Sequence, residues 1–371
     1  MAKIKYMVVS DIHFGSNKNK TANIANNLLN YLYVNVKIIK DLDVFILAGD
    51  VYDRLLSMAS LDNIIAMECL TKLCMFCKLH NIKLRILEGT PSHDNKQCKV
   101  LYTVLEELNI DIDFKYIENI EIEYMKEFDT YILYIPDEIH HDSKDTLKEV
   151  KELMNEMNLL QVDIAIMHGA FKYQLPILDL PSMHDENEYL SLVKHYISIG
   201  HIHNSSIFKR ILAQGSFDRL VHNEEEPKGA MCIDINNDRR SYVFIENKDA
   251  MIFKSINIDN EDIMESIGYI EDILKDIVIG SHIRLIMKSN NPLLKSVHDI
   301  YKRFPEYNFI VKSIKDEKHI EVKIDNVLAN GKVEVVQITV DNILSLIMNE
   351  VTIKDLIIDN TLLNEELINV L

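Results

Sequence analysis

The chain has 371 residues, enough for two domains and a small third at roughly 150 residues each. Hydrophobic residues make up 47% and charged residues 26%, which excludes a disordered or collagen-like chain. The net charge of −18 opposes nucleic acid at long range unless metal ions or a partner supply positive charge.

Lys5–Ser10 reads as a first strand, and Ala22–Ile39 as a helix with Ile24, Leu28, Leu32 and Val36 on one face. Val44–Ala48 is a second strand, Leu61–Leu79 a helix and Lys83–Leu87 a third strand. Tyr131–Ile135, a helix near Lys144–Met157, and strands at Asp163–Met167 and Tyr196–Ile199 follow. This alternation argues for a layered α/β core. From Ala213 to Glu246 several strands crowd together. Glu261–Ile277 with His282–Lys288, and Pro292–Phe304 with Tyr307–Ile314, form two further helix–strand units, expected as a separate small α/β domain. Val340–Leu371 is apolar at helical spacing with acidic interruptions.

No apolar run approaches the ~18 residues of a membrane span, and the short stretch after Lys3 and Lys5, ending at Asp11, is not expected to be a secretory signal. Cys69, Cys74, Cys77, Cys98 and Cys232 are too few and too scattered for a disulfide framework, so a reducing cytoplasm is expected. Cys74 and Cys77 form a Cys-x-x-Cys pair, but within a helical pattern and without a second pair to complete a zinc site. They read as buried hydrophobes.

The chemistry-bearing residues stand at strand ends. Asp11-Ile12-His13 follows the first strand, Gly49-Asp50-Val51-Tyr52-Asp53 the second, and Gly89-Thr90-Pro91-Ser92-His93-Asp94 the third. His168-Gly169 and Gly200-His201-Ile202-His203 follow two later strands. The carboxyl ends of strands line the ligand crevice of open α/β sheets. Alone, Asp-x-His is as readily a turn residue beside a surface His, and Gly-Asp is a common turn. Gly-His-x-His is stronger, since alternate residues of an extended segment share a face, although a structural His pair would read the same. Five such ends in order point many oxygen and nitrogen donors into one volume. Without a cation these groups would repel or stay unpaired. Mixed Asp/His donors suit manganese, iron or zinc.

These motifs resemble the calcineurin-like metallophosphoesterases. Asp11-Ile12-His13-Phe14-Gly15, Gly215-Ser216-Phe217-Asp218-Arg219 and Asn223-Glu224-Glu225-Glu226-Pro227-Lys228-Gly229 are similar to segments of the SbcD-type nuclease branch, which includes phage recombination subunits. The resemblance covers about residues 1–246 well. It implies a four-layer αββα sandwich over residues 1–248, a smaller α/β capping domain over 249–335 that shapes a DNA cleft, and a C-terminal helical segment over 336–371. It implies two divalent cations, manganese first among them. One would be held by Asp11, His13, Asp50 and His203, the other by Asp50, His168, His201 and a neutral oxygen from the Gly89–Asp94 loop. Asp50 would bridge, since a carboxylate can give one oxygen to each of two ions ~3.5–4 Å apart. His93 matches the residue that contacts the phosphate and assists the leaving oxygen. Asp94 would orient His93, and Asp53 would anchor its loop or a nearby basic group. The family usually reads Gly-Asn-His-Asp, with Asn as ligand. Here the loop is two residues longer and Ser92 stands in place of Asn, so Ser92, Thr90 or a water could fill that position.

The activity implied is a DNA exo/endonuclease in recombination or double-strand-break processing, working with an SMC-like coiled-coil ATPase, with a homodimer among the implied assemblies. The cytoplasm is the expected location, that of the host if the chain is phage-encoded. Ile343, Leu346, Ile347, Val351, Ile353 and Leu356 could form an apolar stripe for the ATPase, or could close their own domain. A small-molecule or cyclic-nucleotide phosphodiesterase and a non-catalytic scaffold on the same fold are the alternatives.

Overall fold

The computed structural model describes residues 3–314 apart from 176, 177, 179 and 238. The segment 336–371, with the stripe from Ile343 to Leu356, lies outside the described residues, as does 315–335. Among the described residues, two six-stranded sheets and one three-stranded sheet form a mixed α/β architecture.

The first sheet contains β1 (Lys3–Val9), β2 (Val44–Ala48), β3 (Lys83–Leu87), β4 (Phe114–Ile117), β11 (Gly229–Asn236) and β12 (Arg239–Glu246), in the order β12-β11-β1-β2-β3-β4. β1 to β4 run parallel, and β11 and β12 close the edge antiparallel. The second sheet contains β5 (Glu121–Met125), β6 (Thr130–Ile135), β7 (Ile164–His168), β8 (Ile197–Gly200), β9 (Ser206–Phe208) and β10 (Ile211–Ala213), in the order β5-β6-β7-β8-β10-β9. Its central strands β6, β7, β8 and β10 are parallel.

Strand alternation sorts the core into layers. Tyr6, Val8, Val44, Ile46 and Ala48 of the first sheet meet Ile132, Tyr134, Ile164 and Ile166 of the second. The intervening residues Met7, Val9, Phe45 and Leu47 pack outward against helices Thr21–Val34, Leu61–His80 and Val100–Glu107. On the far side, Leu133, Ile135, Ala165 and Met167 pack against helices Ser143–Glu156 and Glu186–Leu192. The central strands are buried on both faces, which is why they read as continuous apolar runs.

Local chemistry sets the helix ends. The Ser60 hydroxyl accepts from Asn63 N at 3.2 Å, and Asn81 ends the same helix in the left-handed conformation. The single helix expected over Ala22–Ile39 is two. The Asn35 side chain donates to Tyr31 O at 2.9 Å, and a short helix restarts at Val36. Cys69, Cys74 and Cys77 are buried in the first outer core and carry no disulfide.

The parallel strands β13 (Phe253–Ile258), β14 (His282–Lys288) and β15 (Asn308–Ile314) form the third sheet. Ile256, Ile283, Leu285 and Met287 build a core of their own with Ile267, Ile270 and Leu274 of helix Ile263–Leu274 and Ile300 of helix Val297–Arg303. No helix among the described residues is long and apolar enough to cross a membrane.

Candidate metal centre

The carboxyl ends of β1 and β2 interlock through their backbones. Asp11 N donates to Gly49 O at 3.1 Å, while Ile12 N and His13 N donate to Asp50 O at 2.9 and 3.0 Å. The end of β8 joins them, since His201 N donates to both Asp11 oxygens at 3.0 and 3.1 Å. Thr90 N, after β3, donates to Asp50 Oδ1 at 2.7 Å. Asp11, His13, Asp50 and His201 all have positive φ, at 53°, 56°, 49° and 99°. Non-glycine residues rarely adopt that region, and such backbone gathers at functional sites. Gly49 makes the approach possible, because a Cβ there would lie 2.1 Å from His168 Nδ1.

Seven strand-end residues thereby converge. Asp11, His13 and His203 form one triad, Asp50, His168 and His201 another, and His13, Asp50 and His93 a third between them. In each, the potential ligand atoms lie within 4.8 Å of one another. Asp50 belongs to two triads and faces both sides. His168 Nε2 is 3.3 Å from its Oδ1, and His93 Nδ1 is 2.9 Å from its Oδ2.

The ring partners fix where the lone pairs point. His168 Nδ1 donates to Ala48 O at 2.7 Å, which turns the Nε2 lone pair toward Asp50. His168 is fully buried, and its Nε2 has no hydrogen-bond partner. His203 Nδ1 donates to Glu224 Oε1 at 2.7 Å, and His13 Nδ1 lies 3.3 Å from Asp53 Oδ1. The remaining nitrogens, His13 Nε2 and His203 Nε2, face each other at 3.1 Å. An imidazole lone pair facing a carboxylate oxygen, as His168 Nε2 faces Asp50, is unfavourable without a positive charge between them. These donors therefore fit divalent cations.

The charge states agree. Burial works against the ionised Asp50, yet His168, His93 and His13 hold it well below the usual carboxylate range. Burial opposes a charged His168, but Asp50 outweighs it and raises the ring well above its ordinary value. His201, by contrast, is lowered by burial and by the neighbouring His168. His93 is raised by its hydrogen bond to Asp50.

Asp11, His13, Asp50, His168, His201 and His203 thus stand together where strand-end logic predicts them. Two expected residues stand elsewhere. Pro91 starts a one-turn helix over Pro91–Asp94, and Ser92, expected at the ligand position, is exposed on it. The hydroxyl that reaches Asp50 is that of Thr90, 3.4 Å from Oδ2. Asp94 does not orient His93. Its two oxygens accept from Tyr52 N at 2.8 Å and Gly89 N at 2.7 Å, so it clamps the loop, and the partner of His93 is Asp50. Burial and the nearby Asp50 push Asp94 up to about 7.

Glu224 and Asp137 carry no role in the sequence reading, and Thr90 stands there only as one alternative to Ser92. Glu224 holds His203 and also accepts from Leu220 N at 2.9 Å. Thr90 contributes the hydroxyl just described. Asp137 Oδ2 lies 3.5 Å from His201 Nδ1 and 3.2 Å from Thr90 Oγ1. Asp137 carries the same signal as the others, an acid two residues past a strand.

No family model and no curated protein matches the chain. Among solved structures, one chain is 10% identical, with 66% of this chain and 99% of that chain covered and a TM-score of 0.40. A β-glucosidase from Exiguobacterium marinum is 9% identical, with 84% and 90% covered and a TM-score of 0.24. At these scores neither likeness bears on fold or function.

Proposed function

We propose that this chain is a two-metal phosphodiesterase of the calcineurin-like metallophosphoesterase type. In this reading it is the nuclease subunit of an SbcD-type complex that acts on DNA with an SMC-like ATPase. The observation that carries the reading is the buried Asp50 carboxylate, with unpartnered imidazole nitrogen on one side and His13 and His93 on the other. The mixed α/β pair of sheets, with its donors at parallel strand ends, supports this reading.

Asp11, His13, Asp50 and His203 would hold one cation, and Asp50, His168 and His201 the other, with manganese the first choice. Bound there, the pair would supply Lewis acidity toward a phosphodiester and a nucleophile at neutral pH. His93 does the proton work. Its side chain is 36% exposed, and Asp50 favours its protonated form, so it can hand a proton to a leaving oxygen. Glu224 and Asp53 hold the rings of His203 and His13 in place.

The segments similar to the nuclease branch surround this apparatus. Ser216 N donates to His203 O at 3.0 Å, and Lys228 Nζ to the same oxygen at 2.9 Å. Arg219 donates to Ala250 O, Met251 O and Glu226 O, tying the first domain to the chain that enters β13. For a polyanion, the supporting feature is the junction beside β13 and β14. There Arg284 and Lys18 depress His222, after burial, and Lys20 adds to the burial that depresses His282. Glu225 opposes these cations at His222 and pairs with Lys254 at 2.8 Å, and the chain as a whole has a net charge of −18. That net charge favours the second reading, a phosphodiesterase for smaller substrates. The buried, unpaired thiols suit a reducing compartment, so we place the protein in the cytoplasm.

Linear duplex DNA and an aryl phosphodiester, each incubated with Mn2+ or with chelator, test the reading. Manganese-dependent DNA cleavage is expected. Cleavage of the aryl ester alone moves the substrate to the second reading, and cleavage of neither returns the chain to a scaffold.

A further inference from the structure

We propose that Asp137 is a ligand of the cation held by Asp50, His168 and His201. It supplies the oxygen that the sequence left to the Gly89–Asp94 loop. The assignment rests on the two-cation reading above and adds a residue to it.

The position follows from the sheet. β6 runs parallel to β7 with Ile135 opposite Met167, so the residues just beyond β6 emerge beside His168 and Gly169. Pro136 ends the strand and Asp137 follows. The turn is fixed by the side chain itself, since Glu138 N donates to Asp137 Oδ1 at 3.0 Å and Glu138 has φ 49°. Gly169 leaves room for it, because a Cβ there would come within 3.2 Å of Asp137 Oδ1. One oxygen is thereby spent on the turn and the other is directed inward.

That inward oxygen, Oδ2, has two neighbours. Thr90 Oγ1 is at 3.2 Å, within reach of a hydroxyl that donates to it. His201 Nδ1 is at 3.5 Å, too long for an N–H donor to a carboxylate. It is instead close to the spacing of two ligands that share one ion at ~2.0–2.2 Å each. The Asp137 side chain is only 12% exposed and sits among His201, Thr90 and Gly169. Ser92 lies exposed, and Thr90 Oγ1 is 3.4 Å from both Asp50 Oδ2 and His201 Nδ1. Thr90 therefore braces the two acids, and Asp137 is the charged oxygen that completes the set.

The test is Mn2+ titration by calorimetry, with electron paramagnetic resonance of the loaded protein. The wild type should take up two ions per chain and show the signal of a spin-coupled pair. Asp137→Ala should keep the ion at Asp11, His13 and His203, weaken the other by at least about tenfold, and show isolated Mn2+. Asp137→Asn, which can still accept from Thr90 and Glu138, covers the case in which the alanine variant unfolds; it too should weaken the second ion. Ser92→Ala should bind like the wild type. Two coupled ions of wild-type affinity in the Asp137 variants overturn this assignment alone. A wild type that takes up no Mn2+ overturns it together with the two-cation reading.

Discussion

His168 Nε2 lies 3.3 Å from Asp50 Oδ1, inside the protein, with its other ring nitrogen already committed to the Ala48 carbonyl. Only a proton or a cation between the two atoms makes that approach favourable. Metal binding and folding are therefore linked. Mn2+ at a hundred times its dissociation constant should stabilise the protein by about 2.7 kcal/mol per site. Melting curves in Mn2+ and in chelator check this, and coincident curves count against it.

His93 touches Asp50 but lies at the exposed edge of the site. His93→Ala should keep its metal and lose phosphodiester cleavage by about 10²–10⁴-fold in kcat. Metal analysis and single-turnover cleavage on the same sample separate the two effects. Loss of an ion would make His93 a ligand, and undiminished cleavage would remove it from the chemistry.

Glu224 fixes the His203 ring by accepting from its Nδ1 at 2.7 Å, and its carboxylate is held below the usual range against the effect of burial, chiefly by His203. Glu224→Ala should weaken the ion at Asp11, His13 and His203 by about 10–100-fold. Calorimetric Mn2+ titration reads this. Unchanged affinity would reduce Glu224 to a loop anchor.

Glu88 gives a pH dependence that does not involve the ligands. It is buried, one oxygen accepts from Lys96 N at 3.0 Å, and the other has no partner. Burial, with Asp94 nearby, pushes it up to about 7 from an ordinary 4.5. The folded state therefore holds this proton more tightly than the unfolded state. Its contribution is complete below pH ~4.5 and lost as pH rises through about 7. Glu88→Gln escapes that loss. It should melt like the wild type near pH 5 and above it near pH 8, by up to about 3 kcal/mol. Melts at the two pH values that show the same difference would contradict this.

Much of the fold was legible because its strands are buried on both faces. Val44–Ala48 and Lys83–Leu87 are uninterrupted apolar runs with turn residues at their ends, and both form with the predicted bounds. Phe114–Ile117 and Glu121–Met125 were not legible. They are short sheet strands with mixed patterns and few fully buried residues. The convergence of Asp11, His13, Asp50, His168, His201 and His203 was legible since each directly follows a strand. Asp137 carried the same signal but was masked by the intervening proline. Glu224 was not visible as a partner, because its contact with His203 spans the fold, and Thr90 was visible only as one alternative to Ser92. Ser92 misled because loop length, not residue type, decides which side chain faces inward. Thr90 is pinned to Asp50 by its own N–H, and the turn begun by Pro91 carries Ser92 outward.

The most direct measurement is an anomalous difference map at the manganese edge from Mn2+-soaked crystals of the wild type and of Asp50→Ala. The account predicts two peaks flanking Asp50 in the wild type, one beside His203 and one beside His168, and loss of the pair in the variant. Peaks away from these residues, no peak in the wild type, or an intact pair in Asp50→Ala would contradict it.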